Sequence, residues 1–203
     1  MTSAPLPQPR FQASRTLRAI VVGLAVAVAA PVFADNLADA QRLIKRGDYA
    51  QALERVNAQL ADTPNEAQAN FLKGVIYTET NQNAEAIAVF TKLTEDYPEM
   101  PEPYNNLAVL YARQKLYDKA RMALEMAIQA NPSYAVAYEN LGDLHAKQAS
   151  QAYAKAVQLD AGSKRTKAKL ALANDLLKTP AKPVPPADTN TPPTADAAKP
   201  ASR

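Results

Sequence analysis

No cysteine occurs in the 203 residues of this chain. Disulfides, thiol catalysis and cysteine-built metal sites are therefore excluded, and the fold has to hold by packing alone. One histidine, His145, excludes a histidine-rich metal centre as well. Five glycines provide no phosphate-cradling loop, and neither a GxSxG nor an HExxH string is present. Glu95, Asp96 and Glu99 could in principle serve acid–base chemistry. They sit beside Pro98 with no base nearby in sequence, and read as a solvated helix end. The inventory is not that of an enzyme, and it implies no cofactor and no metal.

A charge excess is missing too, once the N-terminus is set aside. The whole chain holds 23 Lys+Arg against 20 Asp+Glu. Residues 1–18 carry Arg10, Arg15 and Arg18 and no acid; residues 19–30, AIVVGLAVAVAA, form an unbroken apolar run. With Pro31-Val32-Phe33-Ala34 following, this order predicts a secretory signal peptide over residues 1–34, cleaved after Ala34. The run falls short of the roughly 20 residues that span a bilayer, so no stable membrane span is expected after cleavage; a retained anchor is the alternative. The layout predicts a periplasmic protein. Without the three arginines the balance is 20 against 20, which removes the net basic character that nucleic-acid binding requires. Charge is uneven locally. Residues 62–103 hold eight acids against two lysines, and residues 164–182 hold six bases against one acid.

What the chain does have is a period. Pro64, Pro98 and Pro132 are spaced by 34 residues, as are Ala52, Ala86 and Ala120. Gly74, Ala108 and Gly142 keep the same register, and so do Tyr77, Tyr111 and His145. A fixed period of this length marks stacked helix–turn–helix units. Apolar residues recur at helical spacing between these markers: Ala52, Leu53, Val56 and Leu60; Ala86, Ile87, Phe90 and Leu93; Ala120, Leu124, Ala127 and Ile128. Small residues let two helices approach, and the aromatic one turn on fills the gap. His145, in the aromatic register, is accordingly expected in the core.

The pattern of small residue, aromatic, alanine and closing proline resembles the tetratricopeptide repeat (TPR) family. The resemblance implies an all-α fold, a right-handed α-solenoid of about three and a half helix pairs with a C-terminal capping helix. The expected units are residues 35–66, 67–100 and 101–134, then a degenerate fourth at 135–161. A capping helix follows at 162–178, with Leu170, Leu172, Leu176 and Leu177 as its apolar residues. The Pro/Ala-rich tail at 179–203 has too few apolar side chains for a core and is expected to be disordered. The fourth unit departs from the pattern: five residues are missing between its helical stretches, and Lys147–Gln151 lacks Gly, Pro and Asn. Either a tight turn survives near Ser150, or 135–160 is one long helix; the stripe His145, Ala149, Ala152, Ala156 and Leu159 favours the latter.

In the TPR family the first helices of successive units line a concave groove. By resemblance, the partner-binding positions here are Phe71, Val75, Thr78 and Glu79; Asn105, Asn106, Val109 and Arg113; and Glu139, Asn140, Asp143 and Lys147. Asn106 and Asn140 repeat at 34, and an amide suits an extended peptide backbone; equally, such an Asn can fix adjacent repeats to each other. The Lys/Asn/Arg clamp for a C-terminal carboxylate is not matched, because Val136 and Asn140 stand where its closing Lys and Arg would fall. The implied function is a non-enzymatic scaffold binding a protein or peptide partner in the cell envelope. The alternative is weak self-association, with the acidic second unit meeting the basic C-terminal helix.

Overall fold

The computed structural model describes residues 33–178. The basic segment and apolar run of the expected signal peptide, and the tail over 179–203, lie outside the described residues. Eight helices and no strands are found among them: α1 (Phe33–Arg46), α2 (Tyr49–Asp62), α3 (Ala67–Glu79), α4 (Asn83–Asp96), α5 (Pro101–Arg113), α6 (Tyr117–Ala130), α7 (Ala135–Leu159) and α8 (Lys164–Leu176). Each helix packs on the next, giving an α-solenoid. No described helix is long and apolar enough to cross a membrane.

Two kinds of turn build the stack. Within pairs, α1, α3 and α5 each end on a residue with positive φ: Gly47 at 82°, Asn81 at 59° and Lys115 at 63°. The next amide in each case reaches back five residues, from Asp48 to Leu43, Gln82 to Tyr77 and Leu116 to Tyr111, at 2.9, 2.8 and 2.9 Å. This left-handed cap satisfies the last carbonyls and reverses the chain. Between pairs, Pro64, Pro98 and Pro132 follow directly on the closing bonds Thr63 to Gln59, Tyr97 to Leu93 and Asn131 to Ala127, each 2.9–3.0 Å. Proline cannot continue a helix, so each pair stops there. Asp48 stands at the N-terminus of α2, yet its side chain makes no capping bond. Ser163 does: its hydroxyl accepts from the Thr166 amide at 3.2 Å, starting α8.

The core confirms the close-approach argument in one unit and corrects it in another. Phe71, Val75, Ala86, Phe90 and Leu93 are buried with Leu107, Ala108, Ala120, Leu124 and Ala127 in one continuous cluster. A second cluster, Ala40, Ala52, Val56, Ala69, Leu72 and Ile76, closes the N-terminal end. At Gly74 a Cβ would stand 2.6–3.0 Å from the Phe90 ring, so only glycine lets that ring lie against α3. At Gly142, 68 residues later in the same register, a Cβ would meet nothing within 4 Å. His145, expected in the core, is exposed, and so is Tyr138.

One cause explains both differences. Residues 135–159 form a single helix, so the fourth unit never folds back on itself. The position 34 after Lys115 is Ala149, which supplies no left-handed cap, and the five missing residues leave no room for the turn. α8 packs instead on the far half of α7. Ser150 donates to Asn174 at 2.6 Å, and the Lys169 ammonium sits 5.5 Å from the Tyr153 ring centre. Ala173 is buried there while Leu170 and Leu177 are half-buried. Leu172 and Leu176, expected in the apolar stripe of this helix, face solvent.

Candidate functional site

The first helices of units three and four, α5 and α7, enclose a cavity of about 290 Å³ together with α6. Its floor is apolar: Ala108, Val109 and Ala112 from α5, Ala120 and Leu124 from α6, and Leu144 from α7. Its rim is polar, with Arg113 on α5 and Asn140, Asp143 and Lys147 on α7. Tyr117 closes one end, its hydroxyl accepting from Gln151 of α7 at 3.0 Å. The space has a reason in the sequence. Leu124 occupies the place 34 residues after Phe90, and a leucine fills less of a helix crossing than the phenyl ring does in unit two.

Polar geometry inside the site is fixed by one bond. Asn140 donates from Nδ2 to Asn105 Oδ1 at 2.7 Å, joining α7 to α5 across the repeat boundary. Asn140 is 7% exposed and Asn105 wholly buried, so this bond lies in a dry environment where it is strong and its loss is costly. Asn105 Nδ2 has no partner among the described residues. Burial, and secondly the charge of Glu139, push the Asp143 carboxyl above the ordinary aspartate range. Arg113 and Lys147 form no salt bridge with described residues, so two cations at the rim stay free.

Five of the twelve groove positions come together here: Val109, Arg113, Asn140, Asp143 and Lys147. The other seven do not. Phe71 and Val75 are core residues, Phe71 packing on Phe90 with ring centres 5.7 Å apart. Thr78 is buried and donates to the Gly74 carbonyl at 2.9 Å. Glu79 accepts from the Tyr49 hydroxyl of α2 at 3.4 Å. Asn106 donates to Glu102 O at 2.9 Å within its own helix, and Asn105 is consumed by Asn140. Glu139 is exposed outside the lining. Burial thus moves Phe71, Val75, Thr78, Asn105 and Asn106 from ligand contact to repeat packing. The Asn of unit four fixes adjacent repeats, as one of the two sequence readings had it. The lining residues that pattern reasoning did not place in the groove are Ala108, Tyr117, Ala120, Leu124 and Leu144. Ala120 and Leu124 were legible as apolar positions of α6, but whether a helix crossing is filled depends on both helices at once.

No group of His, Cys, Asp or Glu able to hold a metal is found among the described residues. Nothing in this geometry pairs a nucleophile with a base. The arrangement can take an apolar side chain and hold polar or charged groups around it.

Comparison with known proteins agrees with the fold. The tetratricopeptide repeat model matches residues 37–101 and again 79–135. A chloroplastic tetratricopeptide repeat domain-containing protein of Arabidopsis thaliana, PYG7, is 38% identical over 53 residues, which is 26% of this chain and only 18% of that protein. Among solved structures, MamA from Desulfovibrio magneticus is similar with a TM-score of 0.52 at 22% identity, over 72% of this chain and 85% of the other. A tetratricopeptide repeat protein from Parabacteroides merdae also scores 0.52, at 18% identity, over 72% of this chain and 60% of the other. At such identities these structures show the fold. The sequence match to the tetratricopeptide repeat model falls on residues 37–135, where the helix pairs α1 to α6 stand.

Proposed function

We propose that this chain is a non-enzymatic scaffold in the bacterial cell envelope that holds a segment of a protein partner in the α5–α6–α7 groove. The supporting observation is the groove itself, an apolar floor of about 290 Å³ rimmed by the cations Arg113 and Lys147. Apolar pockets with few, convergent polar groups are the usual form of a binding site, and the fold is one that typically mediates protein–protein interaction. The envelope location rests on the N-terminal layout of three arginines, an apolar run and a small residue before Asp35.

Affinity capture from intact envelopes tests the reading, with the full chain as bait. The control bait carries Ala112→Leu to fill the floor and Arg113→Glu to reverse the rim, with helicity checked by circular dichroism. A protein retained by the native bait and lost by the control supports the groove. A protein retained equally by both refutes it. Cell fractionation with an N-terminal sequence of the isolated protein tests the location; recovery in the cytoplasm with residues 1–34 intact would refute export.

A further inference from the structure

In a complete helix pair, the second helix covers one face of the first. Tyr104, Ala108 and Tyr111 of α5 are buried or half-buried, with Lys119 of α6 over the Tyr111 ring and the Tyr104 hydroxyl donating to the Thr94 carbonyl of α4. The equivalent residues of α7 are Tyr138, Gly142 and His145; all three are exposed, Tyr138 by 50%. Because α7 runs straight on to Leu159, its first half keeps an open face that a returning helix would have covered. α8 of the same chain does not reach it: its contacts with α7 at Ser150 and Tyr153 lie beyond His145.

α8 has a matching excess. Leu172 and Leu176, one turn apart, are 66% and 65% exposed, away from the side where Ala173 is buried. The charges match as well. Apart from the groove-lining Asp143, residues 135–146 hold one charged side chain, Glu139, and neither Lys nor Arg, whereas residues 164–169 hold Lys164, Arg165, Lys167 and Lys169 and no acid. None of these five groups is in an ion pair among the described residues.

We propose that the open face of α7 receives α8 from a second copy of this chain, reciprocally, about a two-fold axis. Such a contact is self-complementary, so each copy supplies one open face and one leucine pair. Leu172 and Leu176 lie over Tyr138 and Gly142, where the missing Cβ gives a leucine room to approach. The basic turn of α8 faces Glu139, and charge complementarity of this kind fixes the register of the two helices. The groove lined by Asn140, Asp143 and Lys147 is on another side of α7 and stays open. The inference therefore goes beyond the groove reading and is independent of it.

The test uses the full chain in light scattering coupled to size exclusion, across about 1–100 µM. A dimer is expected. Leu172→Glu with Leu176→Glu should weaken it about 30-fold or more, the effect of removing a central apolar contact. Both leucines are exposed, so the monomer fold is not at risk, and circular dichroism checks this. The absence of native cysteine permits a second, cleaner reading. Chains carrying Ala135→Cys are mixed with chains carrying Ala168→Cys, both at exposed positions, and treated with a short bis-maleimide. Cross-linked pairs should form in the mixture and disappear with the two glutamates. A monomer throughout the range would overturn the proposal. So would a dimer indifferent to both glutamates, or equal cross-linking when Asn57→Cys, at an exposed position of α2, replaces Ala168→Cys.

Discussion

Gly74 and Gly142 hold the same place in the repeat, yet replacing each by alanine should change stability in different directions. Both substitutions gain the helix propensity of alanine over glycine, about 0.8–1.0 kcal/mol. At Gly74 the new Cβ would stand 2.6 Å from Phe90 Cε1 and 2.7 Å from Cζ. The Phe90 ring is fully buried and packed on Phe71, so it has no free volume to retreat into. Overpacking of this kind costs about 1–3 kcal/mol. Gly74→Ala should therefore range from neutral to about 2 kcal/mol destabilising, the difference of those two terms. At Gly142 nothing lies within 4 Å, and the propensity gain stands alone. Gly142→Ala should stabilise by up to about 1 kcal/mol. The propensity term is common to both, so the difference between the variants isolates the clash at about 1–3 kcal/mol. For a chain of this size that separates the two melting temperatures by about 2–12 °C, with Gly142→Ala the higher. The assay is thermal and urea unfolding followed by circular dichroism in dilute solution, where association plays no part. Equal shifts would refute the reasoning, because they would mean that the Phe90 ring yields freely or that a returning helix covers Gly142 after all.

Asn140→Ala strips the partner from a wholly buried Asn105, which should cost about 1–3 kcal/mol in urea unfolding; a change below about 0.5 kcal/mol would mean that the amides are solvated. Lys115 holds a left-handed conformation at φ 63°, so Lys115→Gly should stabilise by roughly 0.5–1 kcal/mol, while Gly47→Ala at φ 82° should destabilise by about 1 kcal/mol; melting curves of the two variants should move in opposite directions. Burial and Glu139 raise the Asp143 carboxyl in the folded state, so the folded chain binds this proton more tightly than the unfolded one. Its contribution is most favourable below the unfolded aspartate pKa and is lost as pH rises through the folded one. Asp143→Asn should consequently gain stability relative to the native chain from about pH 4 upward; a pH-independent difference would contradict it. Truncation before Gly162 removes α8 and uncovers Ser150 and Tyr153; lower cooperativity and increased binding of a hydrophobic dye are expected, since solenoids need a covered end.

The sequence determined, without help, that this chain is a stack of helix pairs. The 34-residue register of Pro64, Pro98 and Pro132 and the apolar stripes between them act through local rules: a proline stops a helix wherever it stands, and apolar spacing sets which face turns inward. Those rules involve residues close in sequence, so the sequence reports them directly. The absence of the turn near Ala149 was legible for the same reason, though the choice between one helix and two was settled only by the fold. Tertiary structure alone decided what that missing turn does to its surroundings. Tyr138, Gly142 and His145 carry the signature of core positions, yet they face solvent, because burial is a property of two helices and the second one never returns. The groove shows the same division. Val109, Arg113, Asn140, Asp143 and Lys147 meet there as the repeat register suggested. Phe71, Val75 and Asn105, assigned by the same register, are taken up by packing. Whether a side chain at a given register lines a cavity or fills it depends on the volume opposite, Phe90 in one unit and Leu124 in the next, and only the packed helices bring those residues face to face.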